Sequence, residues 1–175
     1  MGGYFSGIQN SYNETQRRAE GLSAAEHVFI SNHPMAAKDF NDDAKKALAE
    51  AANRFPSASL HNGQGDAFRH CYWNALMTRD QNADLARQFG NAHEMERPKA
   101  GDISTLGSVI ESMMDLHNNG KGQEIGKANP KATDAVLASL CVAALNADQL
   151  LVIDKGQLVK SKSLLPYTPS GPRPR

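Results

Sequence analysis

The sequence lacks several features that would assign it to a broad class of proteins. Its 175 residues include 19 basic and 19 acidic side chains, so neither sign of charge is in excess. Proteins that hold nucleic acid through its phosphates usually carry a basic excess, and we therefore do not expect nucleic acid as a partner. No run approaches the roughly 18 apolar residues of a membrane span, which argues against stable membrane insertion.

Two further features are scarce. Residues 1–10 lack the basic and apolar regions of a secretory signal peptide, so we expect that a secretion machine or a fused carrier transports the protein if it leaves its cell. Cysteine occurs only twice. Cys71 and Cys141 lie in apolar helical patterns without a CxxC spacing, and this predicts buried free thiols rather than a disulfide or a zinc knuckle.

The sequence does contain a helical pattern. Up to Ala147 apolar residues recur at helical spacing, with no strand alternation and no internal repeat. We therefore predict a mainly α fold in which residues 13–160 form a single-domain helical bundle. Residues 1–12 are predicted to be a loose N-terminal segment. Residues 161–175, with four of the eight prolines, are predicted to be a loose proline-rich tail.

Capping and breaking residues divide this bundle into elements. Asn13 and Ser23 are typical N-cap residues, and Pro34 suits a first helical turn. The predicted helices are 13–19, a short one after Ser23, 34–55, 66–79, 82–95, one from about Ser104 to the glycine-interrupted run 118–122, and a very apolar one that begins at Pro130. Residues 150–153 and 157–159 flank Asp154-Lys155-Gly156 and predict a small β-hairpin.

The predicted helix at 66–79 has an unusual polar side. Asp66, Arg69, His70, Trp73 and Met77 gather there, and a plain surface helix would not carry Trp and Met among its polar residues. We interpret this side as the wall of a cleft, with Trp73 and Met77 as substrate contacts. A carboxylate one turn before an imidazole suits a metal-ligand pair or a general base with its orienting carboxylate. The plainer interpretation is an Asp favoured by the helix dipole and a His stacked on Trp73.

The predicted helix at 82–95 ends with a second pair of candidate residues. Adjacent residues diverge by about 100° on a helix, so His93 and Glu94 share one site only at a frayed helix end or across a cleft. His93 flanks the apolar stripe and is the better candidate. Glu94 is either a site residue or a solvated carboxylate.

The next helix carries a conflict between two candidates. His117 continues the apolar row Leu106, Ile110 and Met113, whereas Asp115 lies nearly opposite that row. If the helix is regular, His117 and Asp115 cannot both reach the same site. A break in the helix near Asp115, which the later glycines permit, would allow both to reach it. We favour His117, because the apolar row predicts the inward side.

Together these segments supply one set of candidate residues. The catalytic candidates are Asp66, Arg69, His70, His93, Glu94, Asp115 and His117, and the substrate-binding candidates are Trp73, Met77, Asn118 and Asn119. As metal ligands we predict His70, His93 and His117, because three protein ligands plus a water describe a hydrolytic site for zinc or a similar divalent metal. A metal-free version uses His70 as base, Asp66 as its orienter, and Arg69 with Asn118 or Asn119 to stabilise negative charge.

Three blocks of the sequence resemble a largely uncharacterised bacterial family of domains found at the carboxy ends of secreted, Rhs-type or type VI secretion-associated polymorphic toxins. The blocks are GDAFRHCYWNALM at 65–77, GNAHE at 90–94 and MDLHNN at 114–119, followed by Gly122 and Gly126. The resemblance implies a toxin or effector domain that is delivered into a rival bacterial cell and paired with a cognate immunity protein. Type VI cargo needs no signal peptide, which agrees with the sequence of the N-terminus.

Three functions follow as expectations. The first is an antibacterial hydrolase toxin that attacks phospholipid or peptidoglycan of the cell envelope, because zero net charge and the Trp73 and Met77 wall fit such a target better than a polyanion. The second is a metal-dependent nuclease or phosphodiesterase toxin, since histidines, Arg69 and asparagines often accompany phosphate. The third is a non-enzymatic adaptor module of a secretion particle, in which the polar helix faces are packed and hydrogen-bonded.

Overall fold

The computed structural model describes residues 22–95 and 106–161. In this part of the chain six helices precede two short strands: α1 (Ala24–Asn32), α2 (Pro34–Arg54), α3 (Gln64–Asp80), α4 (Ala83–Met95), α5 (Leu106–Ala128), α6 (Asp134–Asn146), β1 (Leu151–Asp154) and β2 (Gln157–Lys160). The predicted mainly α bundle with a small C-terminal hairpin is confirmed. The predictions for residues 1–12, the helix at 13–19, the helix start near Ser104 and the tail beyond Ser161 lie outside the described residues.

Local sequence signals set several helix boundaries. Ser23 and Glu26 form a capping box at the start of α1, in which each side chain accepts a hydrogen bond from the backbone N–H of the other residue. Pro34 is the first residue of α2, as predicted. The predicted start of the last helix at Pro130 is wrong by about one turn, because Thr133 supplies the cap and its hydroxyl accepts from the N–H of Val136.

The helix α3 lies at the centre of the bundle, in contact with α2, α4, α5 and α6. Residues on all its sides are buried. Trp73 packs edge-on against Phe89, and its Nε1 donates to the carbonyl oxygen of Phe40 at 2.9 Å. Met77 is completely buried. The prediction that Trp73 and Met77 line a cleft is therefore wrong. Four other helices contact α3, so its apolar residues pack against a neighbouring helix even where they lie beside polar residues.

The helix α5 runs without a break through Gly120, Gly122 and Gly126, although the sequence allowed a break near Asp115. Glycine in a helix interior costs about 1 kcal/mol relative to alanine, which is why the run suggested a helix end. A Cβ at Gly122 would lie 2.9 Å from the Cβ of Asn74 and still closer to the carbonyl oxygen of Cys71. The missing side chains therefore allow the backbones of α3 and α5 to approach each other closely.

The buried side of α5 carries polar residues beside the completely buried Met114. Met113 on the predicted inward row is 55% exposed, and Val109 and Leu116 are also exposed. Asp115 and Asn119 are buried instead and contact α3. The expectation that the apolar row faces inward is wrong at Met113, because the glycines fix which side of α5 approaches α3.

The hairpin packs against α5. Val152 lies opposite Val159 in the antiparallel pair, and Lys155 and Gly156 both have positive φ (50° and 76°), as a two-residue type I′ turn requires. The Asn118 side chain accepts from the N–H of Leu151 and donates to the carbonyl oxygen of Leu151, both at 2.9 Å. The structure thus places Asn118 against the hairpin rather than among the other candidate residues.

Three further observations concern the cysteines, the start of the tail and membrane-spanning helices. Cys71 and Cys141 are buried and free, as predicted. Ser161 was predicted to begin the loose tail, but it is completely buried and its hydroxyl donates to the carbonyl oxygen of Leu145 at 2.6 Å. Within residues 22–95 and 106–161, no helix combines the length and the apolar character needed to cross a bilayer.

Candidate functional site

Asp66, His70 and Asp115 form a buried group where α3 meets α5. One ligand atom of each residue lies within 4.8 Å of the other two. His70 Nε2 lies 3.3 Å from Asp115 Oδ1 and 3.7 Å from Asp66 Oδ1. The group could hold a metal ion, since an imidazole nitrogen and carboxylate oxygens are metal ligands.

Asp66 accepts hydrogen bonds from a residue shortly before it and from a residue shortly after it in the sequence. Asn62, in the turn before α3, has a left-handed φ of 62°, which asparagine tolerates better than most residues. Its N–H donates to Asp66 Oδ2 at 2.7 Å. Arg69 donates to Asp66 Oδ1 through Nε at 3.1 Å and through Nη2 at 2.6 Å. The turn at Asn62-Gly63 therefore directs a backbone donor at the carboxylate.

The contacts of His70 assign its tautomer. Arg69 Nη2 lies 2.7 Å from His70 Nε2, and a guanidinium can only donate, so Nε2 carries the lone pair. Nδ1 then carries the proton and donates to Asn119 Oδ1 at 3.1 Å. His70 is thus a neutral imidazole whose unprotonated nitrogen faces two carboxylates. This form can ligate a metal or accept a proton.

A chain of amides orients Asn119. Asn74 Nδ2 donates to Asn119 Oδ1 at 2.7 Å, and Gln123 Nε2 donates to Asn74 Oδ1 at 2.9 Å. The sequence predicted Asn119 as a substrate contact, whereas the structure places it against the imidazole of His70. Asn74 and Gln123 were not among the predicted site residues. The available signal was the position of Asn74, one turn after His70 on the same helix.

Glu94 reaches the same imidazole from α4. Its Oε1 lies 3.8 Å from His70 Nδ1, and this buried oxygen has no hydrogen-bond partner among the residues described. His93 points elsewhere: its Nδ1 lies 2.7 Å from Glu26 Oε1, and its ring meets the ring of Trp73 edge-on. Only one of the two adjacent residues reaches His70, as the helix geometry predicts. That residue is Glu94, whereas the sequence favoured His93.

The pair of Glu26 and His93 anchors the end of α4. Burial would raise the pKa of Glu26, but the hydrogen bonds from His93 and from the N–H of Ser23 outweigh burial and hold this pKa below its usual value. The hydroxyl of Ser23 also donates to the carbonyl oxygen of Ala92 at 2.8 Å. The cap of α1 therefore fixes the backbone from which Glu94 extends.

His117 also lies away from the group. It is exposed, and its Nε2 lies 3.0 Å from the carbonyl oxygen of Gln149. Because α5 is regular and the side that carries Met114, Asp115 and Asn119 is buried, Asp115 takes the place predicted for His117. Of the predicted metal ligands His70, His93 and His117, only His70 belongs to the group that could hold a metal, and its partners there are Asp66 and Asp115.

Comparison with known proteins identifies the family. The sequence profile of a family described as a domain of unknown function, DUF6973, matches residues 27–149. The match covers well over half of the chain, so the chain belongs to this family. The matched residues include every member of the group around His70. No solved structure matches the chain.

Proposed function

Taking the chain as a member of this family, we propose that it is a metal-assisted hydrolase, an antibacterial toxin domain that cleaves phospholipid of the cell envelope. The observation that carries the proposal is the convergence of Asp66, His70 and Asp115. The family description names no activity, so the argument rests on the chemistry of these side chains.

The donor set fits a divalent metal such as zinc. Imidazole nitrogen and carboxylate oxygens are ligands that zinc and related metals share. Asp66, His70 and Asp115 would hold such a metal, and the metal would supply hydroxide near neutral pH by lowering the pKa of water. Arg69 Nη2 contacts Asp66 Oδ1 at 2.6 Å and His70 Nε2 at 2.7 Å, so a positively charged group already lies where these atoms converge. A metal at this point would replace the guanidinium.

Asn119 and Glu94 have a positioning role toward His70. Asn119 accepts the Nδ1 proton, and Glu94 places a buried carboxylate oxygen 3.8 Å from the same nitrogen. An acceptor on this side of the ring fixes its orientation and raises the basicity of the other nitrogen. His70 is therefore prepared to use Nε2, whether as a ligand or as a base.

Arg69 favours an anionic substrate. Its side chain is 24% exposed, whereas that of His70 is completely buried, so Arg69 is the residue of this pair that solvent reaches. A guanidinium binds phosphate oxygens with two parallel hydrogen bonds. The formal net charge of zero favours an isolated phosphate in a membrane surface over the dense charge of nucleic acid. A metal-dependent nuclease or phosphodiesterase remains the alternative that shares this chemistry.

The resemblance of the three sequence blocks supports a proposal on delivery. The domain would be secreted, or delivered into a target bacterial cell, by a secretion machine or a fused carrier. A cognate immunity protein would protect the producing cell.

One contact favours a metal-free mechanism as a second candidate. If Arg69 keeps its 2.7 Å contact with His70 Nε2, the guanidinium itself holds the site. His70 would then be the general base, Arg69 would stabilise negative charge in the transition state, and Asp66 would position Arg69.

Metal removal separates the two mechanisms. The chain is treated with a strong chelator and then titrated with zinc or manganese, followed by calorimetry, thermal unfolding and hydrolysis of phospholipid vesicles. We expect one ion per chain, a higher Tm with metal, and hydrolysis that chelation abolishes and metal restores. Asp115→Asn should lower the metal affinity, because it removes the negative charge of a proposed ligand. Full hydrolysis in the chelator would establish the metal-free mechanism.

Expression in two compartments tests the substrate class. Wild type and His70→Ala are expressed in the bacterial cytoplasm or exported to the periplasm, and survival is counted. Toxicity that requires export and His70 supports the envelope. Toxicity confined to the cytoplasm would favour the nuclease, and loss of partner binding or folding without any hydrolysis would favour the adaptor module.

A further inference from the structure

Cys71 of α3 and Cys141 of α6 face each other in the core. Their Sγ atoms lie 3.0 Å apart, and both residues are completely buried. The chain has two cysteines in total, so an intramolecular bond could form in only one way. Cys71 directly follows His70, which places the contact on the helix that carries the candidate site.

We propose that this pair is a modification site, at which a chain that folds in an oxidising compartment closes a disulfide between α3 and α6. The two sulfur atoms of a disulfide lie about 2 Å apart, so the pair needs to approach by only about 1 Å. The proposal does not depend on the activity of the site around His70.

The reaction is thiol–disulfide exchange with a small or protein disulfide as oxidant. The thiolate of one cysteine attacks a sulfur atom of the oxidant, and one thiolate leaves. The thiolate of the other cysteine attacks the resulting mixed disulfide, and the second thiolate leaves. The two cysteines lose two protons and two electrons in total, and the oxidant is reduced to two thiols.

Burial decides when this reaction occurs. Burial and the hydrogen bond with Cys71 hold the pKa of the Cys141 thiol well above its usual range. The thiolate is the reactive form, so the folded, reduced chain should resist oxidation. A chain still folding exposes both thiols, and the bond can form before the core closes. The oxidation state would then record the compartment in which the chain folded.

The disulfide would close a loop of about 70 residues that contains all of α4 and α5. Closing a loop of this length restricts the unfolded chain strongly. For a chain of this size we expect the Tm to rise by an amount on the order of 10 °C.

Refolding under two redox conditions tests the proposal on the full chain. The protein is unfolded in denaturant with a reductant, then refolded with reduced or with oxidised glutathione. Its intact mass is measured after alkylation in denaturant. We expect the oxidatively refolded chain to accept no alkyl group, to be lighter by two hydrogens, and to show the higher Tm. Reduction in denaturant should abolish the shift. A chain folded reduced and then given oxidised glutathione should keep both thiols for far longer.

Two single variants provide the control. Cys71→Ala and Cys141→Ala each retain one thiol, so neither can close the bond, and refolding with oxidised glutathione should leave their Tm unchanged after removal of any adduct. If one variant fails to fold, the other and the reduced wild type still give the comparison. Two alkylated thiols, a glutathione adduct or a disulfide-linked dimer as the main product of the wild type would overturn the proposal.

Discussion

The central helix α3 presents two contrasting surfaces. Toward α4 it packs Trp73 against the rings of Phe89 and His93, and this surface is stabilised by the apolar area that it buries. Toward α5 it presents His70, Asn74 and backbone carbonyl groups to a polar and glycine-bearing helix. An apolar surface tolerates changes that conserve volume. The surface toward α5 depends instead on the position of individual atoms, and all the candidate ligands lie there.

The largest effect is expected from removing a histidine of the buried group, compared with removing an exposed histidine. His70→Ala removes the only imidazole of the metal group and should reduce vesicle hydrolysis on the order of 10³-fold. His117→Ala makes the same change on the exposed side of α5 and should retain wild-type hydrolysis. Both variants are assayed at equal concentrations of folded protein, checked by circular dichroism. Equal losses in the two variants would contradict the placement of His117 outside the site.

A smaller effect is expected at the contact between the two backbones. Gly122→Ala places a Cβ against Cys71 and Asn74, and the helices must separate, so the free energy of unfolding should fall by about 3 kcal/mol. Gly120→Ala lies on the same helix with nothing within 4 Å of the added atom, and should gain up to about 1 kcal/mol of helix propensity. Urea unfolding measures both. Similar small changes in the free energy of unfolding of the two variants would mean that α5 can move away from α3 without loss of stability.

The smallest expected effect concerns a buried carboxylate outside the site, on α2. Burial raises the pKa of Asp43 to about 6, although Lys46 donates to it at 3.1 Å. A carboxyl group with a raised folded-state pKa contributes its full stability below the unfolded value of 3.8 and loses it as pH rises through about 6. The unfolding free energy of Asp43→Asn should therefore increase relative to wild type between pH 4 and 7, by on the order of 1 kcal/mol.

The adjacent residue gives a control of opposite sign. Hydrogen bonds from Lys45 and Lys38 lower the pKa of the exposed Asp42, so its contribution is present above 3.8 and lost as pH falls. Between pH 4 and 7 the difference in unfolding free energy between Asp42→Asn and wild type should therefore stay nearly constant, and it should shrink as pH falls below 3.8. Parallel curves for the two variants in unfolding experiments across this range would show that burial of Asp43 does not control its ionisation.

Local signals predicted most of the fold. Ser23 and Pro34 begin helices because caps and first turns act within a few residues of the chain. Lys155-Gly156 forms the predicted hairpin turn for the same reason. These features depend on nearest neighbours, which a sequence displays directly.

The sequence predicted the types of residue at the site but not all of their positions. Contacts between helices determine which of several nearby candidates is buried there. Gly122 suggests a helix end from propensity alone, yet the approach of α3 makes it an interior contact. That contact turns Asp115 inward and leaves His117 exposed, the reverse of what the apolar row indicated. The same enclosure by neighbouring helices places Trp73 in the core. Each correction needs the partner helix, which no local pattern contains.

The bonds at the outer edge of β1 affect how the molecule can associate. Unpaired strand edges invite strands from other chains and are sites of aggregation. On β1 the outward groups of Leu151 are occupied by Asn118, and the N–H of Ile153 donates to the carbonyl oxygen of Asn62 at 2.8 Å. A strand from another copy would have to displace both asparagines before pairing there. Asn62 lies just before the helix that bears Asp66, and Asn118 lies on the helix that bears Asp115, so self-association through β1 would also disturb both carboxylates.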